Sequence, residues 1–345
     1  MFNVFGKKPS GKRLDSISQS PHYRNGAFHN LDKTQMIPED VSRWKLLKDF
    51  LNKPKNTAPA NTLVSVISDL ASNMSENPVI TWFGHSSYLI QSRGKNILVD
   101  PVFSGNASPF SFMVKAFKGS NVYGVKDMPY LDMVIITHDH YDHLDYQTIK
   151  ALAEKTKHFY TSLGTGAHLE SWGIPGEKIT EFDWWQRQQV EDGIILTACT
   201  ARHFSGRLFT RDKALWSAFV LEIYGHQIFI GSDSGYGDHF KTIGDKYGPF
   251  DIAILESGQY NELWPQIHMM PEETVSAAID LKASVLLPVH WSKFALAYHP
   301  WSEPPERILT AAVARGLQVT TPMIGEQIIL DEVYPEKKWW RDVEG

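Results

Sequence analysis

The sequence contains a single cysteine, Cys199, in 345 residues. That excludes an internal disulfide framework, and it leaves a structural zinc site of the usual thiolate kind nothing to build on. Cys199 itself sits in the apolar run 194–199 and reads as packing. Long hydrophobic runs are also missing. None approaches the roughly 20 residues that span a bilayer. The first residues include Phe2, Val4 and Phe5 but no continuous apolar stretch of signal-peptide length, so a cytoplasmic protein is expected. Positive charge is scarce over most of the chain. The formal net charge is −5, and residues 57–345 carry 23 Lys+Arg against 34 Asp+Glu, which argues against nucleic acid as a partner. No short-period repeat is visible.

What remains is an ordinary globular composition, 42% hydrophobic and 21% charged, able to bury a sizeable core. Residues 1–56 reverse the balance, with 11 Lys+Arg against 5 Asp+Glu. This basic arm, interleaved with Phe2, Phe5, Tyr23, Phe28 and Trp44, either wraps its own domain or rests on an anionic membrane surface, peripheral to its inner face. The tail Lys337-Lys338-Trp339-Trp340-Arg341 is a second candidate for such contact. Three parts are expected: a basic extension over residues 1–76, a main domain over 77–332 and a tail over 333–345. Helical patterns are read within the extension at 42–51 and 62–70.

One stretch dominates the rest. Thr137-His138-Asp139-His140-Tyr141-Asp142-His143-Leu144-Asp145 follows the apolar run 133–136, which is short and β-branched, like a strand buried on both faces. His138 and His140, two apart in extended backbone, point to one side. Asp142 and His143 follow a turn later, and Asp145 is placed to cap a helix carrying Ile149 and Leu152 on one face. Two imidazoles and then a carboxylate with an imidazole suit two adjacent divalent ions. His203, Asp233 and His290 lie far apart in sequence, yet each also follows an apolar run that reads as a strand. Ligands gathered at strand ends can converge on one site. The segment 102–129, rich in Phe and with few structural signals, reads as a lid or an anchored loop.

The blocks WFGHSSYLI from Trp82, DPVFSGNASP from Asp100, LDMVIITHDHYDHLD from Leu131 and HWSKFALA from His290 together resemble the metallo-β-lactamase fold. Within it they resemble the branch around N-acylphosphatidylethanolamine-hydrolysing phospholipase D and its bacterial relatives. The resemblance runs over roughly residues 78–330 and implies a four-layer αββα sandwich of the α/β (α+β) class. It also implies one metal ion on His138, His140 and His203, a second on Asp142, His143 and His290, and Asp233 between them. Zinc is the favoured ion, and manganese or iron is compatible with the same ligands. Two such cations acidify a shared water and polarise a phosphoryl or carbonyl oxygen.

Asp142 is then the expected proton acceptor. His268 is a candidate acid for the leaving group, Arg207 a phosphate fork beside His203, and His85 a further substrate contact. His140 stands where di-iron oxygen-reducing relatives carry Glu, which favours hydrolysis. The expected activity is that of a phospholipase D-like phosphodiesterase on an N-acylated phospholipid, with a homodimer implied by the family. The alternatives are a lactone or amide hydrolase on the same centre, or a non-catalytic metal-binding regulator.

Overall fold

The computed structural model describes residues 2–36, 42, 44, 48, 54, 56–71, 75–208 and 210–344. Two seven-stranded sheets form its centre. The first runs, in spatial order, through Gln327–Ile329, Val79–Trp82, Tyr88–Ser92, Lys95–Val99, Leu131–Ile136, Thr156–Ser162 and Ile179–Phe182. The second runs through Gln318–Val319, Ala283–Val289, Phe250–Glu256, His226–Ile230, Ser217–Ile223, Ile194–Thr200 and Arg187–Glu191.

Period-two alternation sorts the side chains of each strand into two cores. In Leu131–Ile136, Met133 and Ile135 enter the core between the sheets, where they meet Leu196, Phe219, Ile254 and Leu287 of the second sheet. Val134 and Ile136 face the other way, onto Ile149, Leu152 and Leu169 of the helices Tyr146–Leu152 and Gly166–Ser171. The second sheet repeats the arrangement on its outer face. There Val220, Phe229, Ala253 and Leu286 pack on Ile243, Val275 and Ile308 of the helices His239–Tyr247, Pro271–Asp280 and Glu303–Arg315. The result is four layers, helix, sheet, sheet, helix, as the family resemblance implied.

Local signals explain the helix ends. Asp145 caps Tyr146–Leu152 by accepting from the Gln147 N–H, which satisfies a donor the helix cannot. Pro271 opens the next long helix, with Glu273 reaching back to the Met270 N–H at 2.9 Å. Gly316 closes Glu303–Arg315 in the left-handed region, φ 67°.

Two readings of the flanking segments change. Residues 62–70 run extended rather than helical: the Leu63 and Val66 N–H groups donate to the carbonyls of Lys118 and Ile324, and Ser68 N–H donates to the Tyr123 hydroxyl. Thr62, Val64, Val66 and Ile67 are β-branched and suit that edge better than a helix. The pattern at 42–51 lies largely outside the described residues. The carboxy-terminal aromatics face inward, not outward to a membrane. Trp339 stacks on Trp291 with centroids 5.4 Å apart, Trp340 meets the same ring edge-on at 5.6 Å, and both are buried.

The amino-terminal arm is also bound to the body. Arg13 pairs with Glu170 and Glu181, and the Trp172 indole N–H and the His168 ring take the backbone of Asn3 and Lys7.

Trp339→Ala tests the buried tail. Opening a cavity of that size in the core should cost about 3–5 kcal/mol in chemical unfolding. A tail free in solvent would cost about 0.5 kcal/mol or less.

Candidate metal centre

Every residue of the candidate centre lies at one edge of the sandwich, where strands of both sheets end. His85 follows Val79–Trp82, Asp100 follows Lys95–Val99, and His138, His140, Asp142 and His143 follow Leu131–Ile136. From the second sheet come His203 after Ile194–Thr200, Asp233 after His226–Ile230 and His290 after Ala283–Val289. The two edges are joined directly: His290 N–H donates to His85 O and His85 N–H to Trp291 O, both at 2.9 Å. Three of these residues hold positive φ, His85 at 53°, Asp100 at 40° and His290 at 68°. Such backbone is costly for a residue with a Cβ and clusters where a side chain must be aimed. Gly258 makes room for the last of these turns, since a Cβ there would lie 2.3 Å from His290 O.

The histidines are oriented from behind. His203 Nδ1 donates to Ile267 O at 2.9 Å, and His143 Nδ1 donates to Asp100 Oδ2 at 2.7 Å. His138 Nδ1 lies 3.0 Å from Thr137 Oγ1, whose hydroxyl donates to Asp100 Oδ2 at 2.7 Å. His290 Nδ1 meets Ser86 Oγ at 2.9 Å. With Nδ1 occupied outward, each ring turns Nε2 and its lone pair inward.

Two four-residue donor groups result, with a smaller third of Asp233, His268 and His290 overlapping them. His138 Nε2, His140 Nδ1, His203 Nε2 and an oxygen of Asp233 form one, and His85, Asp142, His143 and His290 form the other. Asp233 Oδ2 stands between them, 3.2 Å from His143 Nε2 and 3.8 Å from the Nε2 atoms of His138 and His203. The ring nitrogens of the first group approach within 3.0 and 3.2 Å.

These residues fit divalent ions. Among the described residues the buried Nε2 atoms of His143 and His290 have no hydrogen-bond partner, which is costly unless something fills the space between them. Burial, and then the neighbouring histidines, hold His138 well below the ordinary imidazole range, and burial is also the main cause for His203 and His290. Neutral imidazoles are the form that ligates. His143 goes the other way: burial opposes its charged form, but Asp233, Asp142 and Asp100 raise it well above the usual range. Three carboxylates thus ask for positive charge at that point.

The centre forms the floor of a cavity of about 190 Å³ walled by Phe204, Trp264, Ile267, Leu296 and Gln259. His268 lines it, stacked 5.3 Å from the His290 ring, with Nδ1 3.4 Å from Glu256 Oε2. Burial pushes the Glu256 carboxyl up to about 7.

His85 is placed differently from its expected role. It is buried, and its Nε2 lies 2.9 Å from Asp142 Oδ2, so it orients that carboxylate rather than facing the cavity. Arg207 is corrected too. Its guanidinium is buried under the ligand loop and donates to the carbonyls of Asp139 (2.7 Å), Leu144 (2.9 Å) and Val4 (2.7 Å), with the Tyr141 ring stacked 4.0 Å away. It holds the loop in shape and does not line the cavity. Arg211 is exposed and stacks 4.6 Å from Phe204, which walls the cavity. Asp100, which supports candidate ligands on both sides, is a residue that motif reading alone does not single out. Its signal was its position directly after a buried strand.

A protein with this sandwich and this centre belongs to the β-lactamase superfamily: the model of the superfamily domain matches residues 95–291. It is a metal-dependent hydrolase of that superfamily. The Rv0906 protein of Mycobacterium tuberculosis is 38% identical over 330 residues, 94% of this chain and 88% of the relative. The N-acyl-phosphatidylethanolamine-hydrolyzing phospholipase D 1 of Caenorhabditis elegans is 29% identical over 63% of this chain and 64% of its own length. Among solved structures, Igni18, a metallo hydrolase from Ignicoccus hospitalis, shares the fold with a TM-score of 0.58 and 20% identity, over 73% of this chain and 97% of that one.

Lys293, three residues after His290, ties the centre to its surroundings. It is buried, and its Nζ donates to Phe83 O at 3.1 Å and Val102 O at 2.9 Å, with no carboxylate in contact among the described residues. Burial lowers its pKa from 10.5 to about 7. Between those values the unfolded chain binds a proton that the folded protein does not, so this lysine makes stability rise with pH across the window from about 7 to 10.5. Denaturant titrations at several pH values should show that rise reduced in Lys293→Met. An unchanged slope would assign it to other groups.

Proposed function

We propose that the protein hydrolyses a lipid phosphodiester, in the manner of a phospholipase D, on two divalent ions, zinc in the first instance. The observation that carries this reading is the pair of four-residue donor groups, with Asp233 of the first reaching within 3.2 Å of His143 in the second, at the floor of a cavity with apolar walls. Bound there, two such ions would supply Lewis acidity and an acidified water.

The chain's own residues do the rest. Asp142 is kept ionised: burial works against it, but His143 and His85 hold it well below the usual carboxylate range. It accepts the proton of the attacking water while the His85 bond fixes its direction. His268, backed by Glu256, faces the same space and delivers a proton to the departing oxygen. Phe204, Trp264 and Leu296 exclude bulk water and accept the apolar part of the substrate. Arg211, over Phe204, supplies positive charge at the entrance for the phosphate. The similarity to an N-acylphosphatidylethanolamine-hydrolysing phospholipase D supports the choice of substrate class.

One observation favours a second reading. Among the described residues, those lining the cavity include no lysine or arginine, so a neutral lactone or amide would also suit the centre.

Elemental analysis, together with hydrolysis of bis(p-nitrophenyl) phosphate before and after chelation and metal return, tests the proposal. Two ions per chain and restorable activity are expected, with activity falling about 100-fold or more in Asp142→Asn. Two ions with activity only on lactones or amides would transfer the function to the second reading. No metal under reconstituting conditions would overturn both.

A lipid substrate calls for a surface that meets a bilayer, and the loop at 110–113 supplies one. Phe112 is 73% exposed, with Phe110 stacked 5.9 Å away and Met113 alongside, and Lys115 and Lys118 are exposed nearby. Aromatic rings with flanking lysines suit an anionic interface. The full-length protein should float with anionic vesicles at low salt, and Phe112→Ser should weaken that binding. Failure of the wild type to float would remove the membrane contact from the proposal.

A further inference from the structure

The segment around residue 30 precedes the span matched by the superfamily model, yet it reaches a metal ligand. Asn30 places its carboxamide against the main chain of His203. Nδ2 donates to His203 O at 2.8 Å, and His203 N–H donates to Oδ1 at 3.1 Å. The same Oδ1 accepts from the indole N–H of buried Trp216 at 3.1 Å, and that indole also donates to Ala201 O at 3.0 Å. His203 has left the strand Ile194–Thr200 and lies in irregular backbone, so no ladder serves its N–H and C=O. Buried main-chain groups need partners, and a carboxamide offers an acceptor and a donor side by side, as a neighbouring strand would.

The flanking residues hold Asn30 in register. Phe28 N–H donates to Asp212 O at 2.9 Å. The Arg202 guanidinium donates to Thr34 Oγ1 and Lys33 O, each at 3.1 Å, and Gln35 N–H donates to Gln266 Oε1 at 2.7 Å.

We infer that Asn30 is a positioning residue for the metal centre. By fixing the backbone of His203 it aims Nε2, and so sets the affinity of the group formed by His138, His140 and His203 without touching the group around His143. The inference rests on His203 being a metal ligand. The competing explanation is that Asn30 only fastens the amino-terminal arm, in which case its loss lowers overall stability and nothing else.

The test loads full-length protein with Zn²⁺ or Co²⁺ and titrates it with a competing chelator, alongside Co²⁺ absorption spectra and melting temperatures. His203→Ala identifies the ion that belongs to the three-histidine group. In Asn30→Ala that same ion should be released at about 10–100-fold lower chelator concentration, the usual effect of losing support behind a ligand. Its Co²⁺ bands should change with it, and the other ion should stay at wild-type affinity. Asn30→Asp, which keeps the acceptor and loses the donor, should fall between, and it carries the test if Asn30→Ala does not fold. Phe28→Ala, which loosens the arm without contacting His203, should lower the melting temperature and leave both ions in place. Wild-type retention of both ions in the Asn30 variants, or parallel release of both in step with melting temperature, would overturn the inference. A wild-type chain that binds no metal would instead overturn the reading beneath it.

Discussion

The arrangement depends on one electrostatic constraint: imidazole lone pairs and carboxylate oxygens are crowded into a small buried volume where they repel or strand one another unless a cation joins them. Among the described residues two buried Nε2 atoms, those of His143 and His290, make no hydrogen bond, three ring nitrogens converge, and Asp233 Oδ2 stands 3.2 Å from His143 Nε2. Burial raises the stakes, because such charges and lone pairs cannot turn to water. Nearly everything else at this edge of the sandwich can be understood as holding those donors in place. Outward hydrogen bonds from Nδ1 fix the rings, and positive-φ turns at His85, Asp100 and His290 aim them. The carbonyl-bound guanidinium of Arg207 keeps the ligand loop from relaxing.

Much of this was legible in the sequence because it is local. The histidine run follows a buried strand directly, and Asp145 announces the helix after it, so the elements and the chemistry coincide within fifteen residues. His203, Asp233 and His290 were legible by their shared place after apolar runs. What could not be read were interactions set by tertiary contact. An arginine four residues from a ligand looks the same in sequence whether it faces a phosphate or three carbonyls. Trp339 and Trp340 beside lysines resemble a membrane anchor, but the ring of Trp291 is there to receive them. Residues 62–70 show a helical spacing, yet their backbone groups find partners in Lys118 and Ile324 first.

Both ends of the chain turn out to stand behind the centre. The arm supplies Asn30 to His203, and the tail packs its tryptophans on Trp291, the residue next to His290. A two-sheet sandwich presents its ligands on loops, which are the least constrained part of a domain, so precision at the site must come from whatever packs against those loops. The terminal segments do that packing. This places residues outside the matched superfamily span among those that shape the site.

The supports differ in how many ligands each one governs. Asp100 Oδ2 takes His143 Nδ1 directly and reaches His138 through Thr137 Oγ1, so one carboxylate aligns a ligand in each donor group. Its loss would disturb both groups together. Among the described residues Asn30 bonds to His203 and to Trp216, so its contacts reach one group. The same division applies on the other side, where His85 reaches Asp142 through its ring and His290 through its backbone, both members of the second group. A centre built in this way has a shared frame that sets the separation of the two groups and private contacts that tune each one. That separation of roles lets the support behind one group change without moving the other.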